Sequence, residues 1–283
     1  MKYKNDYTTP RVIELALSQN KHWKGGDYSV TQIIKEPIEI ALSKRYGELI
    51  THDIKDTHNL LIGTAIHRLL EDAYKDEEDV ELEMQMVANF NGIDISGTCD
   101  VYNTETKTVQ DYKTCSVYKI IKEDFESWEK QLNIYAEILF HNGYEVKNLE
   151  VVAIIKDWDK KKQDDPNYPS SPYITIGIPL WDNDRREEEI NKYIETVVIA
   201  ESLEDGELEP CTDKWETPIK YKVIKDGAAR ALKVFDTLEE ATALALEKGA
   251  NVVTDGGEPR KCNDWCDLKG FCPWYQRYIT GGI

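Results

Sequence analysis

The chain has 283 residues, a net charge of −18, a hydrophobic content of 41% and an aromatic content of 10%. That much apolar material is enough for a packed core, which excludes a wholly disordered chain. The length suits one large domain or one domain with a smaller appendage. No run of roughly 18 apolar residues is present for a membrane span, and the start lacks the apolar region of a secretory signal. A cytoplasmic protein without a membrane partner is therefore expected.

The negative charge is concentrated in two segments. Residues 71–83 hold eight acids against one base, and residues 182–209 hold eleven against three, which leaves −3 for the rest of the chain. Net negative charge disfavours nucleic-acid binding. Charge confined to two segments, however, neither demonstrates nor excludes a DNA-binding groove elsewhere.

The first elements predicted along the chain are an N-terminal extension and a helix. Residues 1–27 are polar and form the extension. A helix is predicted from Tyr28, with Ser29 as its N-cap. Pro37 interrupts or restarts that helix, because proline cannot donate the backbone hydrogen bond that a helix interior needs.

A second helix is predicted over residues 59–74, where apolar side chains recur at helical spacing. It carries His67, with Glu71 one turn later on the same face. Taken alone, a helix histidine is more often satisfied by a neighbour than bound to a metal. The meaning of His67 therefore depends on what the rest of the chain brings near it.

A predicted β-hairpin follows the first acidic segment. Residues 82–90 form a strand that leads into it, and the hairpin strands run over residues 93–102 and 108–115 with a polar turn between them. If the hairpin pairs about its midpoint, Asp100 lies nearly opposite Asp111, at the roughly 5 Å that separates cross-strand neighbours. Two carboxylates would then converge on one point.

The residues around this point indicate a particular chemistry. Adjacent carboxylates repel each other unless a cation neutralises them, and oxygen ligands at this density suit Mg²⁺ or Mn²⁺. Strand alternation puts Lys113 on the same face as Asp111, with Tyr112 turned towards the core. A lysine there can hold a nucleophilic water or stabilise developing phosphoryl charge. The pattern indicates a phosphodiester-cleaving site; the alternative is a set of solvated charges near a turn, since Asp-x-Lys is common.

The next predicted elements complete an α/β core. Residues 124–140 form an amphipathic helix in which Gln131 and Tyr135 share a face. Residues 149–155 form a buried strand, so the helix lies in a crossover between two strands. A further strand and a further helix follow. This order predicts a central mixed sheet flanked by helices, with the candidate site on two adjacent strands.

From residue 210 the composition changes. Short strands and an Ala-rich helix over residues 238–248, capped by Asp236 or Thr237, predict a small α+β module. The chain is thus divided into an extension (1–27), a core (28–209) and a C-terminal module (210–283). The module ends in three closely spaced cysteines, Cys262, Cys266 and Cys272. Cysteines in a chain with no export signal indicate thiols or metal ligands rather than disulfides.

The assembled residues resemble the PD-(D/E)XK nuclease superfamily, in the RecB-like branch that includes phage recombination exonucleases and CRISPR-adaptation nucleases. The likeness covers roughly residues 28–156, and the C-terminal cysteines extend it. The motifs occur in the family's order: Gly63-Thr-Ala-Ile-His67, Gly97-Thr-Cys-Asp100, Asp111-Tyr-Lys113 and Gln131-x-x-x-Tyr135. The resemblance implies a restriction-endonuclease-like core with a small C-terminal cysteine-cluster module.

The resemblance also implies a metal site. His67, Asp100 and Asp111 would ligate Mg²⁺ or Mn²⁺, and the backbone carbonyl of Tyr112 would add another oxygen. With carboxylates in place, His67 is expected to be a ligand rather than a structural residue. Glu71 is a looser candidate, for support of His67.

Three further residues receive roles from the same resemblance. Lys113 would position or activate the attacking water and stabilise the pentavalent phosphorus. Gln131 and Tyr135 would line the groove, where they contact DNA or order the site; packing at the edge of the core is the alternative for both.

The cysteines resemble a cluster that related nucleases build around iron and sulfur, with a fourth cysteine from before the core. Here Glu36 occupies the comparable place, which departs from the pattern, and Cys211 is the best substitute. We expect a [4Fe–4S] cluster at Cys211, Cys262, Cys266 and Cys272, with structural Zn²⁺ as the alternative, since four thiolates suit both. If no metal is bound, the cysteines are expected to be buried or free thiols.

The sequence thus predicts a metal-dependent DNA nuclease, with the family likeness favouring an exonuclease acting on single- or double-stranded ends in phage-type recombination or repair. The alternative is a catalytically inactive nuclease-fold protein that binds DNA or a partner. The acidic segments could also dock a basic partner such as a recombinase or a helicase.

Overall fold

The computed structural model describes residues 2–6, 9–18, 23 and 25–281. The chain divides into two units: residues 1–41 and 48–203 form the first, and residues 42–47 and 204–283 form the second. None of the helices in the described ranges is long and apolar enough to cross a membrane.

Strands and helices are interspersed along residues 2–203. The strands are β1 (Lys2–Lys4), β2 (Tyr28–Ser29), β3 (Thr51–Asp53), β4 (Val80–Phe90), β5 (Ile93–Asn103), β6 (Thr108–Cys115), β7 (Asn148–Ile155) and β8 (Tyr173–Ile178). The helices are α1 (Arg11–Ser18), α2 (Val30–Ile33), α3 (Pro37–Tyr46), α4 (His58–Tyr74), α5 (Val117–Ile121), α6 (Glu126–His141) and α7 (Asn183–Ser202).

A six-stranded mixed sheet is the centre of the first unit. Strand β5 is antiparallel to β4 and to β6, β6 is parallel to β7, and β7 is antiparallel to β8. The two-residue β2 pairs in parallel with β5. Because β6 and β7 are parallel, the chain crosses between them through α5 and α6. The predicted mixed sheet flanked by helices is therefore confirmed.

Local sequence explains how the elements around the site begin. The turn between β4 and β5 is Asn91-Gly92, with φ angles of 52° and 87°, the left-handed pair that a tight hairpin turn requires. Ser29 caps α2 in a reciprocal capping box with Gln32, and α3 begins at Pro37. The predicted cap at Ser29 and the restart at Pro37 are confirmed.

Helix α6 supplies much of the core behind the sheet. Its buried face includes Leu132, Ile134, Ile138 and Leu139, each at most 1% exposed. This apolar face packs against β-strand side chains such as Val109 and Val151 in one cluster. Burial of this kind is the main stabilising term for the unit.

The sheet has a gap beside the middle of β5. On the side away from β4, β5 pairs with β2 at Ile95 and Ser96, and with β6 only from Val101 to Asn103. Within the described residues, positions 97–99 therefore have a strand partner on the β4 side alone, and Asp100 is paired in neither ladder. The gap lies where the sequence places the first candidate carboxylate.

The second unit contains a small three-stranded sheet with strand order β10-β9-β11. Its elements are β9 (Lys220–Ile224), β10 (Lys233–Phe235), α8 (Leu238–Lys248), β11 (Asn251–Asp255) and α9 (Pro273–Ile279). Helix α8 is capped by Thr237 rather than Asp236, and it ends at Gly249, whose φ is 58°. Val223, Ala241 and Ala245 form the centre of its core.

Two sequence expectations differ from the structure. The described part of residues 1–27 is not all irregular, since it contains β1 and α1. The helix predicted over residues 124–140 begins at Glu126, because α5 and a turn with Glu123 at a φ of 51° come first. Helix α5 was not predicted, because five residues are too few to show helical periodicity.

Candidate metal centre

The site is built where β5 and β6 stop pairing. The last pair is Val101 with Gln110, so the same register places Asp100 opposite Asp111. Asp100 is 9% exposed and Asp111 is 2% exposed. Asp100 and Asp111 thus adjoin the last paired residues of β5 and β6, at the gap in the sheet.

Asp100 is held by contacts on both of its oxygens. Oδ2 accepts the backbone N–H of Tyr112 at 2.7 Å, so the carboxylate takes the place of a ladder hydrogen bond between the strands. Oδ1 lies 3.4 Å from Nδ1 of His67. The hydrogen bond fixes the carboxylate and leaves Oδ1 directed towards α4.

His67 reaches the site from α4, with its ring edge-on to Tyr112 at 5.8 Å between centroids. Burial alone would lower the pKa of His67. The hydrogen bond to Asp100 and the charges of Asp100 and Asp111 outweigh that effect and raise the pKa above 6.5. A cation bound here would compete with a proton for the imidazole.

Glu83 is a site residue that the sequence motifs did not reveal. Its carboxylate, Nδ1 or Nε2 of His67 and a carboxylate oxygen of Asp100 all lie within 4.8 Å of one another. Leu82 pairs with Val101 and Met84 with Cys99, so Glu83 stands across from Asp100. Only the β4–β5 register could have identified it. In the sequence, Glu83 does not stand out, because it is one of eight acids in residues 71–83.

The backbone of Glu83 is strained. Its φ is 47° inside a β-strand, a conformation that costs a non-glycine residue roughly 1–2 kcal/mol. The carboxyl pKa is also raised, first by burial and then by the charges of Asp100 and Glu71. Glu71 thus acts on the site through its charge on Glu83. A strained backbone that brings an acid towards other acids is typical of a functional position.

Asp111 and Lys113 form the second half of the site. The Lys113 ammonium lies 2.6 Å from Oδ2 of Asp111, as strand alternation predicts. This Oδ2 is buried, and the Lys113 ammonium is the group that faces it among the described residues. Burial raises the pKa of Asp111 to about 6; Lys113 opposes the rise and Asp100 adds to it.

Gln131 and Tyr135 support Asp111 from α6. The Gln131 amide donates to Oδ1 of Asp111 at 3.3 Å and to the Tyr135 hydroxyl at 3.1 Å. Both side chains are buried, at 7% and 5% exposure. Their burial favours the ordering role over direct contact with DNA.

The donor set fits a hard divalent cation. Glu83 and Asp100 bring two carboxylates together with the His67 imidazole. Asp111 is not a member of that group of three, and its Oδ2 is paired with the Lys113 ammonium at 2.6 Å. Oxygen ligands with few nitrogens suit Mg²⁺ or Mn²⁺. The Tyr112 carbonyl stays a predicted ligand, because the contact seen at Tyr112 is made by its N–H.

The second unit contains four of the cysteines. Burial raises the pKa of Cys262, and the charges of Cys266 and Cys272 raise it further. Cys262 is buried and the other two are half-buried, as is Cys211. Cys99 and Cys115 are buried in the core of the first unit.

Comparison with known proteins shows a likeness in structure only. No family model matches the sequence, and no curated protein matches it. The solved structure of SSO0001 is similar over 72% of this chain and 89% of that chain, with a TM-score of 0.51 at 18% identity. This likeness concerns the fold alone.

A second solved structure, of a phage related exonuclease from Haemophilus somnus 129PT, aligns over 67% of this chain and 77% of that chain. Its TM-score is 0.29 at 10% identity, which is too low to support a conclusion about this chain.

Proposed function

We propose that the chain is a Mg²⁺- or Mn²⁺-dependent deoxyribonuclease of the PD-(D/E)XK, RecB-like type. The observation that carries the proposal is the convergence of His67, Glu83 and Asp100 within 4.8 Å, next to Asp111 and Lys113. All of these residues except Glu83 belong to the sequence motifs. We further propose an exonuclease that acts on DNA ends in recombination or repair, on the sequence resemblance alone.

The roles follow from the contacts of each side chain. His67, Glu83, Asp100 and Asp111 would hold the metal, which supplies charge neutralisation for the phosphate and a more acidic water. Tyr112, through its N–H, fixes the orientation of Asp100. Gln131 holds Asp111 from behind. These contacts preorganise the ligands before the substrate arrives.

Lys113 supplies a positive charge at the site, which no carboxylate can do. Hydrolysis adds water across a P–O bond, and negative charge builds up on the phosphoryl oxygens as the bond to the leaving oxygen breaks. The ammonium group, 24% exposed in its side chain and paired with Asp111, can orient the attacking water and stabilise that charge.

The test is a nuclease assay with end-labelled and circular DNA, single- and double-stranded, titrated with Mg²⁺ and Mn²⁺. Wild-type protein should shorten linear substrates, and Lys113→Ala should lose cleavage by at least a hundredfold with an unchanged circular dichroism spectrum. Lys147→Ala, which removes an exposed lysine paired with Glu145, is the matched control. Full activity in Lys113→Ala would exclude this mechanism. Metal-independent DNA binding without cleavage would favour a catalytically inactive protein that binds DNA.

For the second unit we propose a [4Fe–4S] cluster held by Cys211, Cys262, Cys266 and Cys272, with Zn²⁺ as the alternative occupant. The close spacing of Cys262, Cys266 and Cys272 in the sequence supports a metal centre over unrelated cysteines. For the acidic segments we propose docking of a basic recombinase or helicase, supported by their charge alone.

A further inference from the structure

Helix α5 directly follows β6, the strand that carries Asp111 and Lys113 of the candidate metal centre. Its first residue, Val117, donates its N–H to Oδ1 of Asp157 at 2.7 Å. The Lys156 N–H donates to the Cys115 carbonyl at 2.9 Å. These bonds anchor α5 just past the ends of β6 and β7. Lys113 is two residues before the end of β6, roughly 7 Å along the strand.

The helix presents an aromatic ring to solvent. Val117 and Ile120 pack against the core, and α5 therefore turns its other face outward. Tyr118 is 66% exposed and Ile121 is 46% exposed. The exposed ring on this short, anchored helix is accessible to a ligand.

A lysine that lies over the ring gives it a local positive charge. From Tyr112 to Lys122 there are three lysines and no acid, flanked by Asp111 on one side and by Glu123 and Asp124 on the other. Lys113 is paired with Asp111 and Lys119 with Asp124, so the positive charge beside the ring comes from Lys122. The Lys122 ammonium lies 5.6 Å from the Tyr118 ring centroid. Lys156, just past the end of β7, is paired with Asn59 through its ammonium at 2.7 Å. Local positive charge beside an exposed ring complements a phosphate backbone with accessible bases.

We propose that Tyr118 and Lys122 form a binding site for a single-stranded stretch of nucleic acid next to the metal centre. Tyr118 stacks on an unpaired base, and Lys122 contacts a neighbouring phosphate. Aromatic stacking requires a base whose face is free, because in a duplex interior the adjacent base pairs cover both faces. The inference rests on the proposed nuclease function, and it specifies the substrate as DNA with unpaired nucleotides near the scissile bond.

Binding to fluorescent oligothymidine, measured by anisotropy in EDTA so that no cleavage occurs, tests this site. Tyr118→Ala should weaken binding about 5- to 100-fold, the range for losing one stacked base, and Tyr118→Trp should restore it. Tyr173→Ala is the matched control, since Tyr173 is 69% exposed on β8. Lys122→Ala should reduce the slope of log affinity against log salt by about 1.

A blunt duplex of about 20 base pairs, long enough to present an uninterrupted stack, separates stacking from general charge. Tyr118→Ala should change duplex binding less than twofold; equal losses on both substrates, or no loss on oligothymidine, would overturn the proposal. The two hypotheses fail separately in these assays. If wild type binds oligothymidine through Tyr118 but never cleaves with Mg²⁺ or Mn²⁺, the nuclease assignment fails and the binding site stands. If Tyr118→Ala binds and cleaves like wild type, only the binding site fails.

Discussion

Gly97 and Tyr135 are so close that no side chain fits between them: a Cβ added to Gly97 would lie 2.5 Å from Cε1 of the Tyr135 ring. The ring is buried in the core, and its hydroxyl accepts from Gln131, which supports Asp111. The Gly97–Asp100 motif therefore needs glycine at position 97 for steric reasons. Through Tyr135 and Gln131, this glycine also affects how Asp111 is held.

We expect Gly97→Ala to displace Tyr135 and to cost about 1–3 kcal/mol of unfolding free energy, as overpacking does. Cleavage should fall at least tenfold, because Gln131 moves with Tyr135. Denaturant unfolding and the nuclease assay measure the two effects. Gly177→Ala, at a strand glycine with open space around its added Cβ, is the control and should cost nothing in activity. A Gly97→Ala protein with wild-type stability and rate would show that Tyr135 can move freely.

Glu83 should be needed for metal binding. We expect Glu83→Gln to weaken Mg²⁺ or Mn²⁺ binding about 10- to 100-fold by titration calorimetry, since an uncharged amide is a poorer ligand for a hard cation. Glu78→Gln, in the same acidic run, should leave the affinity unchanged. Equal affinities for wild type and Glu83→Gln would exclude Glu83 from the site.

The strained backbone at Glu83 gives an independent prediction. Glycine adopts a φ of 47° without the steric cost of a Cβ. Glu83→Gly should therefore be about 1 kcal/mol more stable than Glu83→Ala in metal-free protein, although both lack the carboxylate. Urea unfolding compares them. If Glu83→Ala proves the more stable, the strand at this position is regular in solution.

The pH dependence of stability should report on Asp111. Its pKa is raised from 3.8 to about 6 in the folded state, so the folded protein binds this proton more readily than the unfolded chain. The stability that it contributes is fully present below about pH 4 and is lost as the pH rises through about 6.

In metal-free protein at about pH 8, Asp111→Asn should therefore be more stable than wild type by about 1–3 kcal/mol, and the difference should vanish near about pH 4. Thermal unfolding in EDTA across this range provides the measurement. Asp165→Asn, in the loop before β8, is the control. A constant difference between wild type and Asp111→Asn at every pH would contradict the raised pKa.

A buried ion pair joins α6 to α7. Arg186 donates to Glu137 at 2.7 Å and to the Trp181 carbonyl at 2.7 Å, and both charged residues are at most 5% exposed. Arg186→Met should cost about 3–5 kcal/mol, because the buried Glu137 carboxylate loses its Arg186 partner and keeps His141 at 3.4 Å. The double variant with Glu137→Leu should recover most of the loss. Equilibrium unfolding measures both, and a mild effect of Arg186→Met alone would mean that water reaches Glu137.

The cysteine proposal predicts colour and metal content. Protein purified without oxygen should be brown, with broad visible absorption and about four irons per chain. Cys211→Ser and Cys262→Ser should both lose iron, whereas Cys115→Ser, a buried core position, should retain it. Colourless protein with one zinc per chain would assign the alternative metal, and retention of iron in Cys211→Ser would identify a different fourth ligand.

Much of the site was predictable because its residues lie on elements with strong local patterns. The period-2 hairpin placed Asp100 opposite Asp111, and the helical period placed Gln131 on the face of Tyr135. Glu83 was not predictable, because an acid in an acidic run gives no signal until the β4–β5 register is known. Nor was the pairing of Arg186 with Glu137, which depends on how two helices pack rather than on either helix alone.

The parallel pairing of β6 with β7 has a consequence for the order in which this protein matures during synthesis. The proposed ligands all lie between His67 and Tyr112, yet β6, the strand that carries Asp111, gains its neighbour β7 only after Ile155 has left the ribosome. Parallel partners separated by a long crossover form slowly. A nascent chain stalled near residue 140 should therefore bear every ligand and still load metal poorly.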